Sequence, residues 1–298
     1  MKIAIAGGSG FIGSEISKKL IELGYKVVVI DKRKPSLRNI EFINLDLKQK
    51  INNKDIFNNI DAIINLVGIN IFRRWHKKIK KEIYESRVNS TRNLVEFINN
   101  YKTNVRIFIS ASAVGFYGDK KDEEINENSP PGEDFLAKVC ADWENEVKKI
   151  NSSSIRWVIL RTAPVLDKDR GFLKKLLPFY KLKINLTFGN SKQWFPWIHK
   201  DDIVNMYIFI LQNEKLKGIY NACSPEQIRY EEFASALASL LRSKITIKIN
   251  EYLLKIFLGE FANIILYSQK VSCQKILDEG YNFKFPTINE ALENLLKN

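Results

Sequence analysis

A glycine-rich turn near the start of the chain constrains its fold more than any other stretch. Residues 6–13 read Ala-Gly-Gly-Ser-Gly-Phe-Ile-Gly, after a short apolar run and before apolar residues at helical spacing. Gly8, Gly10 and Gly13 match the spacing G-x-G-x-x-G, and Gly7, Gly10 and Gly13 match G-x-x-G-x-x-G. Between a strand and a helix, glycines at these positions allow a tight turn, the approach of backbone N–H groups to a pyrophosphate, and close helix packing.

The residues that follow the turn complete a β-α-β unit of about 30 residues. A second apolar run, 27–30, ends at Asp31. The helix that opens at Phe11 and Ile12 is expected to direct its unpaired N–H groups and its dipole at an anion. A purely structural glycine loop is the alternative, but the two strands and the helix together favour a dinucleotide-binding turn.

Further apolar runs alternate with segments of helical spacing, which predicts an α/β fold, a Rossmann doubly wound parallel sheet. Ligands collect at the carboxyl ends of such strands. The strands are predicted at 42–47, 61–68, 105–110, 157–161 and 218–222, and the helices at 79–98, 135–150 and 202–211. The residues near the strand ends that we expect to contact the cofactor are Asp46, Leu47, Leu66, Gly68, Ser110, Ala163 and Val165.

The rest of the chain has a different sequence pattern, which predicts a smaller C-terminal α/β substrate subdomain. Residues 1–165 with 198–223 are assigned to the nucleotide-binding domain, and 166–197 with 224–298 to the substrate subdomain. The second unit is expected to contain loops first and then amphipathic helices around 233–241, 253–266 and 291–296.

Composition excludes several other classes of protein. The chain has three widely spaced cysteines and two histidines, so neither a disulfide framework nor a metal site is expected. The first strand begins at Lys2, and no apolar run approaches the ~20 residues of a membrane span, so we expect a cytoplasmic protein without a membrane partner. The formal charge of +13 favours anionic ligands in general.

A basic run at 73–81 admits three interpretations: a solvated helix face, the rim of a site for an anionic substrate, or a nucleic-acid surface. Ile79 and Ile83 are four residues apart and would face inward, which leaves the lysines in solvent. No aromatic stacking platforms at suitable spacing accompany the run. The pattern favours the solvated face, and no nucleic-acid partner is expected.

Several longer segments resemble an atypical branch of the extended short-chain dehydrogenases/reductases. This "epimerase family" branch is described as nucleoside-diphosphate-sugar epimerases or division-inhibitor-like proteins, with a C-terminal domain of unknown function. The similar segments are 7–13, 65–68, 74–75, 86–88, 110–118, 134–137, 143–144, 197–199, 220–221, 224–226 and 280–286, with Cys140, Gln193 and Asp202. The resemblance implies an NAD(P)-binding oxidoreductase or epimerase with a small-molecule substrate, which the charge suggests is anionic, and a homodimer remains an option.

The resemblance also implies a catalytic set that this chain holds only in part. Family members usually combine an Asn, a Ser and a Tyr-x-x-x-Lys pair, in which the Lys lowers the pKa of the Tyr. The Ser position holds Ser112, as a proton relay or as a strand-end capping group. The Tyr and Lys positions hold Phe135 and Val139, and Arg87 stands for the Asn. Hydride transfer needs chiefly positioning, so these changes disfavour ordinary alcohol–ketone interconversion without forbidding redox chemistry.

Tyr117 and Lys138 are the candidates to replace the missing pair. A phenol with a pKa near ~10 needs a nearby cation to act at neutral pH, and Arg87 or Lys138 could supply it. The alternatives are that Tyr117 belongs to the loop wall and that Lys138 forms helix ion pairs with Asp134 and Asp142, at i−4 and i+4.

Four residues are predicted to contact substrate: Arg87, Gln193, Trp197 and His199. His199 is titratable near neutrality. It either touches substrate or anchors the junction between the two units.

The residues at the end of the second strand give opposite indications about the cofactor. Asp31 is placed to accept hydrogen bonds from a ribose and to repel a 2′-phosphate, which favours NAD. Lys32 and Arg33 follow at once and can bind that phosphate. We lean slightly to NADP over NAD. A catalytically reduced NAD(P)-binding regulatory or scaffold protein is the alternative function.

Overall fold

Seven parallel strands form the central sheet of the computed structural model, which describes residues 1–53 and 55–297. In chain order, the seven strands of this sheet and the six strands outside it are β1 (Lys2–Ala6), β2 (Lys26–Asp31), β3 (Glu41–Asn44), β4 (Ala62–Asn65), β5 (Ile107–Ala113), β6 (Glu124–Ile125), β7 (Arg156–Thr162), β8 (Val165–Leu166), β9 (Ile184–Phe188), β10 (Ile198–His199), β11 (Gly218–Ala222), β12 (Ile245–Ile249) and β13 (Lys270–Val271). The sheet order is β11-β7-β5-β4-β1-β2-β3, which confirms the predicted Rossmann fold.

Helices cover the sheet and form much of the C-terminal part. They are α1 (Phe11–Glu22), α2 (Lys77–Tyr84), α3 (Ser90–Asn100), α4 (Phe135–Val147), α5 (Gly171–Lys181), α6 (Lys200–Gln212), α7 (Tyr230–Leu241), α8 (Glu251–Leu258), α9 (Ala262–Leu266), α10 (Gln274–Asp278) and α11 (Ile288–Lys297). None of the helices within 1–53 and 55–297 combines the length and the apolar character that a bilayer crossing requires.

Alternation along the strands builds a core on each face of the sheet, because successive side chains of a strand point to opposite sides. In β1, Ile3 and Ile5 pack with α1 and α6, whereas Ala4 and Ala6 pack with α3. Strands buried on both faces read as continuous apolar runs, which is why the pattern of β1 and β2 was readable from sequence.

A third cluster of buried side chains lies outside the sheet. It joins α5, α7 and α11 with β9, and all of its buried members fall within 166–197 or 224–298. The boundaries of the two domains stay a prediction.

One local prediction was wrong. Residues 166–197 were expected as loops but contain α5 and β9, and β9 pairs in parallel with β12. Pro178 inside α5 weakens its helical signal, since proline removes a backbone donor. The helix predicted at 79–98 is confirmed, because the chain is helical from Lys77 to Asn100, with a π-helical turn at Glu85–Asn89 between α2 and α3.

Candidate active site

The glycine turn between β1 and α1 has a geometry that only glycine tolerates at its first position. Gly7 has φ = +80°, and a Cβ there would lie 2.9 Å from the carbonyl carbon and oxygen of Leu66. The N–H of Gly7 donates to Ile30 O at 2.8 Å, and the N–H of Gly10 donates to Gly7 O at 3.0 Å. The turn therefore brings bare backbone to the carboxyl ends of β1, β2 and β4.

The other two glycines of the spacing have separate roles. A Cβ on Gly13 would lie 2.6 Å from Gly7 O, so this residue lets α1 pack onto the turn rather than contacting a ligand. Gly10 is the N-cap of α1 and has no side chain to cover the first helical turn. The N–H groups at Phe11 and Ile12 therefore suit an anion such as a pyrophosphate.

A cavity of about 660 Å³ opens beside this turn. It contains eight of the residues predicted to bind the cofactor: Gly7, Gly10, Asp31, Lys32, Asp46, Leu47, Leu66 and Gly68. It also contains polar residues outside the predicted set, namely Arg33, Lys48, Asn70, Arg73, Glu82 and Ser86. Most of these follow strand ends or belong to the 73–81 run, so their proximity depends on the strand order.

The carboxylate of Asp31 is held by the backbone. Its Oδ2 accepts from the N–H of Ser9 and its Oδ1 from the N–H of Arg33, both at 3.2 Å. Lys32 extends to Asp46, with 3.6 Å between Nζ and Oδ2. Basic side chains thus surround the end of β2, while both oxygens of Asp31 already have donors.

A second cavity, of about 390 Å³, adjoins the first, since both are lined by Ile69 and Asn70. Six of the predicted site residues line it: Phe11, Ile12, Arg87, Ser112, Ala163 and Val165. Its outer walls are largely apolar and include Phe72, Phe172, Phe195, Phe261, Ile264 and Ile265. We call this the apolar cleft. The sequence signal for its walls was weak because apolar residues in loops look like ordinary core residues.

Arg87 is a half-buried cation in the wall of the apolar cleft. The π-helical turn carries it under Gly68, where a Cβ would lie 3.0 Å from the Arg87 Cζ. Its guanidinium donates to the backbone carbonyls of Ile69 (3.1 Å) and Ile83 (3.4 Å), not to a carboxylate of the described chain. Burial lowers its pKa to about 10. A cation that has no carboxylate partner among the described residues, in a largely apolar wall, is suited to bind an oxygen that bears negative charge.

Ser112 lies at the end of β5 and joins the cleft to a buried polar network. Its hydroxyl donates to Glu144 Oε1 at 2.7 Å. Arg161 donates to both oxygens of Glu144 at 2.8 Å, and also to the phenol oxygen of Tyr117 at 2.9 Å. Tyr117 in turn donates to Asn221 Oδ1 at 2.6 Å. Ser112 thus has an acidic partner behind it and the cleft in front.

The structure does not bring Tyr117 or Lys138 to either cavity. Tyr117 is buried, and burial raises its pKa to about 12 although Arg161 beside it favours the phenolate. Lys138 is exposed on the outer side of α4. Phe135, on the same helix, packs against Trp75 with 5.4 Å between ring centroids. The geometry does not support Tyr117 and Lys138 as replacements for the missing Tyr and Lys. Their roles would require particular neighbours in space, and the sequence alone does not show which residues lie close together.

Three predicted substrate residues, and two predicted cofactor residues, lie behind the walls. Gln193 is buried and donates to Ile265 O at 3.2 Å, which supports the cleft wall. Trp197 is buried in the third cluster, the one outside the sheet. Its neighbours Trp194, Phe195 and Pro196 line the cleft. The remaining residues behind the walls are His199, Gly13 and Ser110.

His199 caps α6 rather than lining a cavity. Its Nδ1 accepts from the N–H of Asp201 at 3.0 Å, and its ring lies 4.0 Å from that of Phe285. Burial lowers the pKa of His199 to about 4. The neutral ring is therefore the folded-state form at neutral pH.

Replacing His199 with Asn, whose Oδ1 can keep the cap, is expected to flatten the acid side of the stability profile. The histidine pKa is about 6.5 when unfolded. Its folded pKa is lower, so its contribution is complete above the unfolded pKa and is lost as the pH falls towards the folded value. Between pH ~7.5 and ~4.5 the wild type should lose about 2–3 kcal/mol more unfolding free energy than the variant, measured in urea.

The matched control is His76→Asn, because His76 is exposed at the N-cap of α2. It should follow the wild type. Equal acid losses in the wild type and the His199 variant would contradict the assignment.

Several residues of the basic run at 73–81 make contacts with other parts of the fold. Trp75 is buried against Phe261, and Lys80 pairs with Glu260 at 2.8 Å. Ile83 is buried and Ile79 is half-buried, as the inward-facing pattern predicted. Arg73 lines the larger cavity.

Comparison with known proteins agrees with this geometry. Residues 3–223 match the NAD dependent epimerase/dehydratase family, and residues 251–295 match a domain of unknown function, DUF1731. The chain is 33% identical to the chloroplastic SDR39U1 homolog of Arabidopsis thaliana, an epimerase family protein, over 100% of this chain and 87% of that protein. It is 30% identical to the epimerase family protein YfhF of Bacillus subtilis, over 99% and 98%.

A crystal structure of human epimerase family protein SDR39U1 with NADPH superposes with a TM-score of 0.90 at 25% identity, covering 100% of both chains. The nucleoside-diphosphate sugar epimerase of Corynebacterium glutamicum gives a TM-score of 0.81 at 27% identity, over 99% of this chain and 58% of that one. The chain therefore belongs to the NAD-dependent epimerase/dehydratase family and has the NAD(P)-binding fold of that family.

Proposed function

We propose that this protein is an NADPH-dependent oxidoreductase whose substrate is an apolar small molecule with one oxygen-bearing end. The proposal rests on the apolar cleft, which adjoins the larger cavity beside the glycine turn and is lined by Arg87 and Ser112. A nucleotide sugar would bring a diphosphate and several hydroxyl groups, each of which needs a polar partner when buried. The largely apolar walls favour a molecule with few such groups.

Three basic residues of the larger cavity support NADPH over NADH. Lys32, Arg33 and Lys48 line it near the end of β2, where a ribose 2′-phosphate is expected. The human relative at 25% identity was solved with NADPH.

The chemistry of the site follows from what its side chains can hold. Bound NADPH would supply a hydride to the substrate carbon. Arg87 would bind the substrate oxygen and stabilise negative charge that develops on it. Ser112 already donates its hydrogen to Glu144, so its oxygen can accept a hydrogen bond from the hydroxyl group of the alcohol product. The oxygen that Arg87 binds would take the proton that completes this alcohol from solvent.

Phenol chemistry of the usual family kind is not part of this proposal. Tyr267 lines the apolar cleft, but burial raises its pKa to about 12. Tyr117 is buried with a pKa raised to about 12 as well. A rate profile without a phenol ionisation near neutral pH would agree with this assignment.

The double variant Lys32→Ala/Arg33→Ala is expected to weaken NADPH binding by about 10–100-fold, and NADH binding by less than about 3-fold. Only NADPH carries the phosphate that these side chains would contact. The measurement is a titration of purified protein with each nucleotide, followed by nicotinamide fluorescence.

Two controls accompany this titration. Lys34→Ala removes an exposed lysine that lies outside the cavity and should leave both affinities unchanged. Gly10→Val should abolish binding of both nucleotides by filling the cradle at the start of α1. Equal losses for NADPH and NADH in the double variant would overturn the choice of NADPH.

The oxidoreductase itself is tested by NADPH consumption with two substrate panels, one of apolar aldehydes, ketones and quinones and one of nucleotide sugars. Turnover with the first panel and not the second is expected. Turnover with nucleotide sugars alone, seen as NADPH consumption or as conversion of the sugar to its epimer, would reject the apolar substrate.

A second function is favoured by one specific observation. Phe135 and Val139 are apolar, and the resemblance noted from the sequence assigns them to the positions of the family's Tyr and Lys, which suits a protein that binds NAD(P) as a regulator. Tight NADPH binding without oxidation by either panel, and without conversion of a nucleotide sugar to its epimer, would favour this second function.

A further inference from the structure

The outer face of α8 carries large apolar side chains in solvent. Tyr252, Leu253, Ile256 and Phe257 follow the spacing of one helix face, and all are exposed. Tyr252 is 73% exposed and Phe257 71%. Leu254 points to the opposite side and is buried. A helix normally turns its apolar face to the core, so a second apolar face in solvent indicates a contact outside this chain.

Further exposed apolar side chains lie on elements next to α8 along the chain or paired with them. Asn250 alone separates β12 from α8, and Ile245 and Ile247 of β12 are exposed. β12 pairs with β9, and the N–H of Ile245 donates to Lys183 O. Leu182, at the end of α5 and next to that pairing, is 71% exposed. We call these exposed side chains of α5, β12 and α8 the apolar face.

The segments that carry the apolar face are strongly basic. Residues 171–187 and 242–258 contain eight basic residues and one acidic residue, an excess of seven in a chain whose total formal charge is +13. All eight basic residues are exposed: Lys174, Lys175, Lys181, Lys183, Arg242, Lys244, Lys248 and Lys255. More than half of the net positive charge therefore lies on the segments that carry the apolar face.

We propose that the apolar face docks onto the surface of an anionic lipid bilayer. Exposed aromatic and aliphatic side chains with a surround of lysines are the combination that holds a helix in the plane of a membrane interface. The apolar residues would enter the headgroup region, and the lysines would contact anionic lipid phosphates. α8 lies on the bilayer and does not cross it. This proposal replaces the expectation from sequence that the protein has no membrane partner.

Docking would place the apolar cleft at the bilayer. α8 continues through Gly259–Phe261 into α9, and Phe261, Ile264 and Ile265 line the cleft. A lipophilic substrate could then enter from the membrane. This consequence rests on the proposed function, whereas docking does not.

The test is co-sedimentation of the full chain with two kinds of vesicle, phosphatidylcholine alone and phosphatidylcholine mixed with phosphatidylserine. The wild type should bind the mixed vesicles at least about 10-fold more strongly, and less so at high salt. Tyr252→Ser/Phe257→Ser should weaken that binding by about 10-fold or more, since both aromatic anchors are lost. NADPH binding by this variant, measured separately, should be unchanged.

Ile21→Ser/Leu23→Ser is the matched control, because these two side chains are also exposed but lie at the end of α1. It should bind vesicles as the wild type does. Absence of binding to the mixed vesicles, or equal binding by the wild type and the Tyr252/Phe257 variant, would overturn the proposal. A wild-type dimer that this variant converts to a monomer, without vesicle binding, would assign the face to a second copy of the chain instead.

Discussion

Replacing Glu144 with Leu is expected to lower the free energy of unfolding by about 3–5 kcal/mol. Glu144 and Arg161 are both buried, and the guanidinium donates to both carboxylate oxygens at 2.8 Å. The variant leaves Arg161 charged, buried and without its carboxylate, and it removes the acceptor of Ser112. Chemical denaturation at neutral pH measures the loss.

A rescue and a control separate the ion pair from ordinary packing. Adding Arg161→Met to Glu144→Leu should restore part of the stability, because the unpaired buried charge is then gone. Glu22→Leu breaks the exposed Lys19–Glu22 pair and should change stability by less than about 1 kcal/mol. A loss below about 1 kcal/mol for Glu144→Leu would mean that water or another group compensates Arg161.

Replacing Arg87 with Met is expected to weaken binding of an apolar carboxylate, decanoate, by about 30–100-fold, while decanol binding changes by less than about 3-fold. The guanidinium lies in the wall of the apolar cleft and its hydrogen bonds go to backbone carbonyls, so its positive charge stays available to a ligand. Methionine keeps the volume and flexibility of the side chain but removes the charge. Calorimetric titration of the NADPH-bound protein compares the two probes.

Arg92→Met serves as the matched control for this change. Arg92 already pairs with Glu146 at 2.9 Å and lies outside both cavities. It should leave both probe affinities unaltered. If decanoate and decanol lost affinity equally in the Arg87 variant, Arg87 would act through the shape of the wall and not through its charge.

Features encoded in neighbouring residues were predictable from the sequence. The apolar runs of β1 and β2, the glycine turn between them and the carboxylate of Asp31 all lie within the first 31 residues. Their structure depends on strand burial and on the space that a Cβ would need, which are properties of a short segment. Apolar runs further along the chain predicted the rest of the Rossmann sheet, and eight residues predicted at the glycine turn and at strand ends line the larger cavity.

The sequence did not show which side chains line the apolar cleft, because this depends on how each segment packs against the rest of the fold. Trp194, Phe195 and Pro196 line it, whereas the predicted neighbours Gln193 and Trp197 lie behind its walls. These five positions share one short segment, and only the packing of that segment decides which side chains face the cleft.

The sequence by itself therefore determined the nucleotide-binding turn and the sheet, because local periodicity and glycine sterics encode them. Tertiary structure alone decided the roles of the polar residues. Tyr117, a catalytic candidate from its closeness to Ser112 along the chain, donates its hydroxyl to Asn221, 104 residues away. Arg161 joins Tyr117 to Glu144 in the same buried network. The role of a polar side chain depends on the partners that the fold brings within about 3 Å of it, and those partners come from distant parts of the sequence.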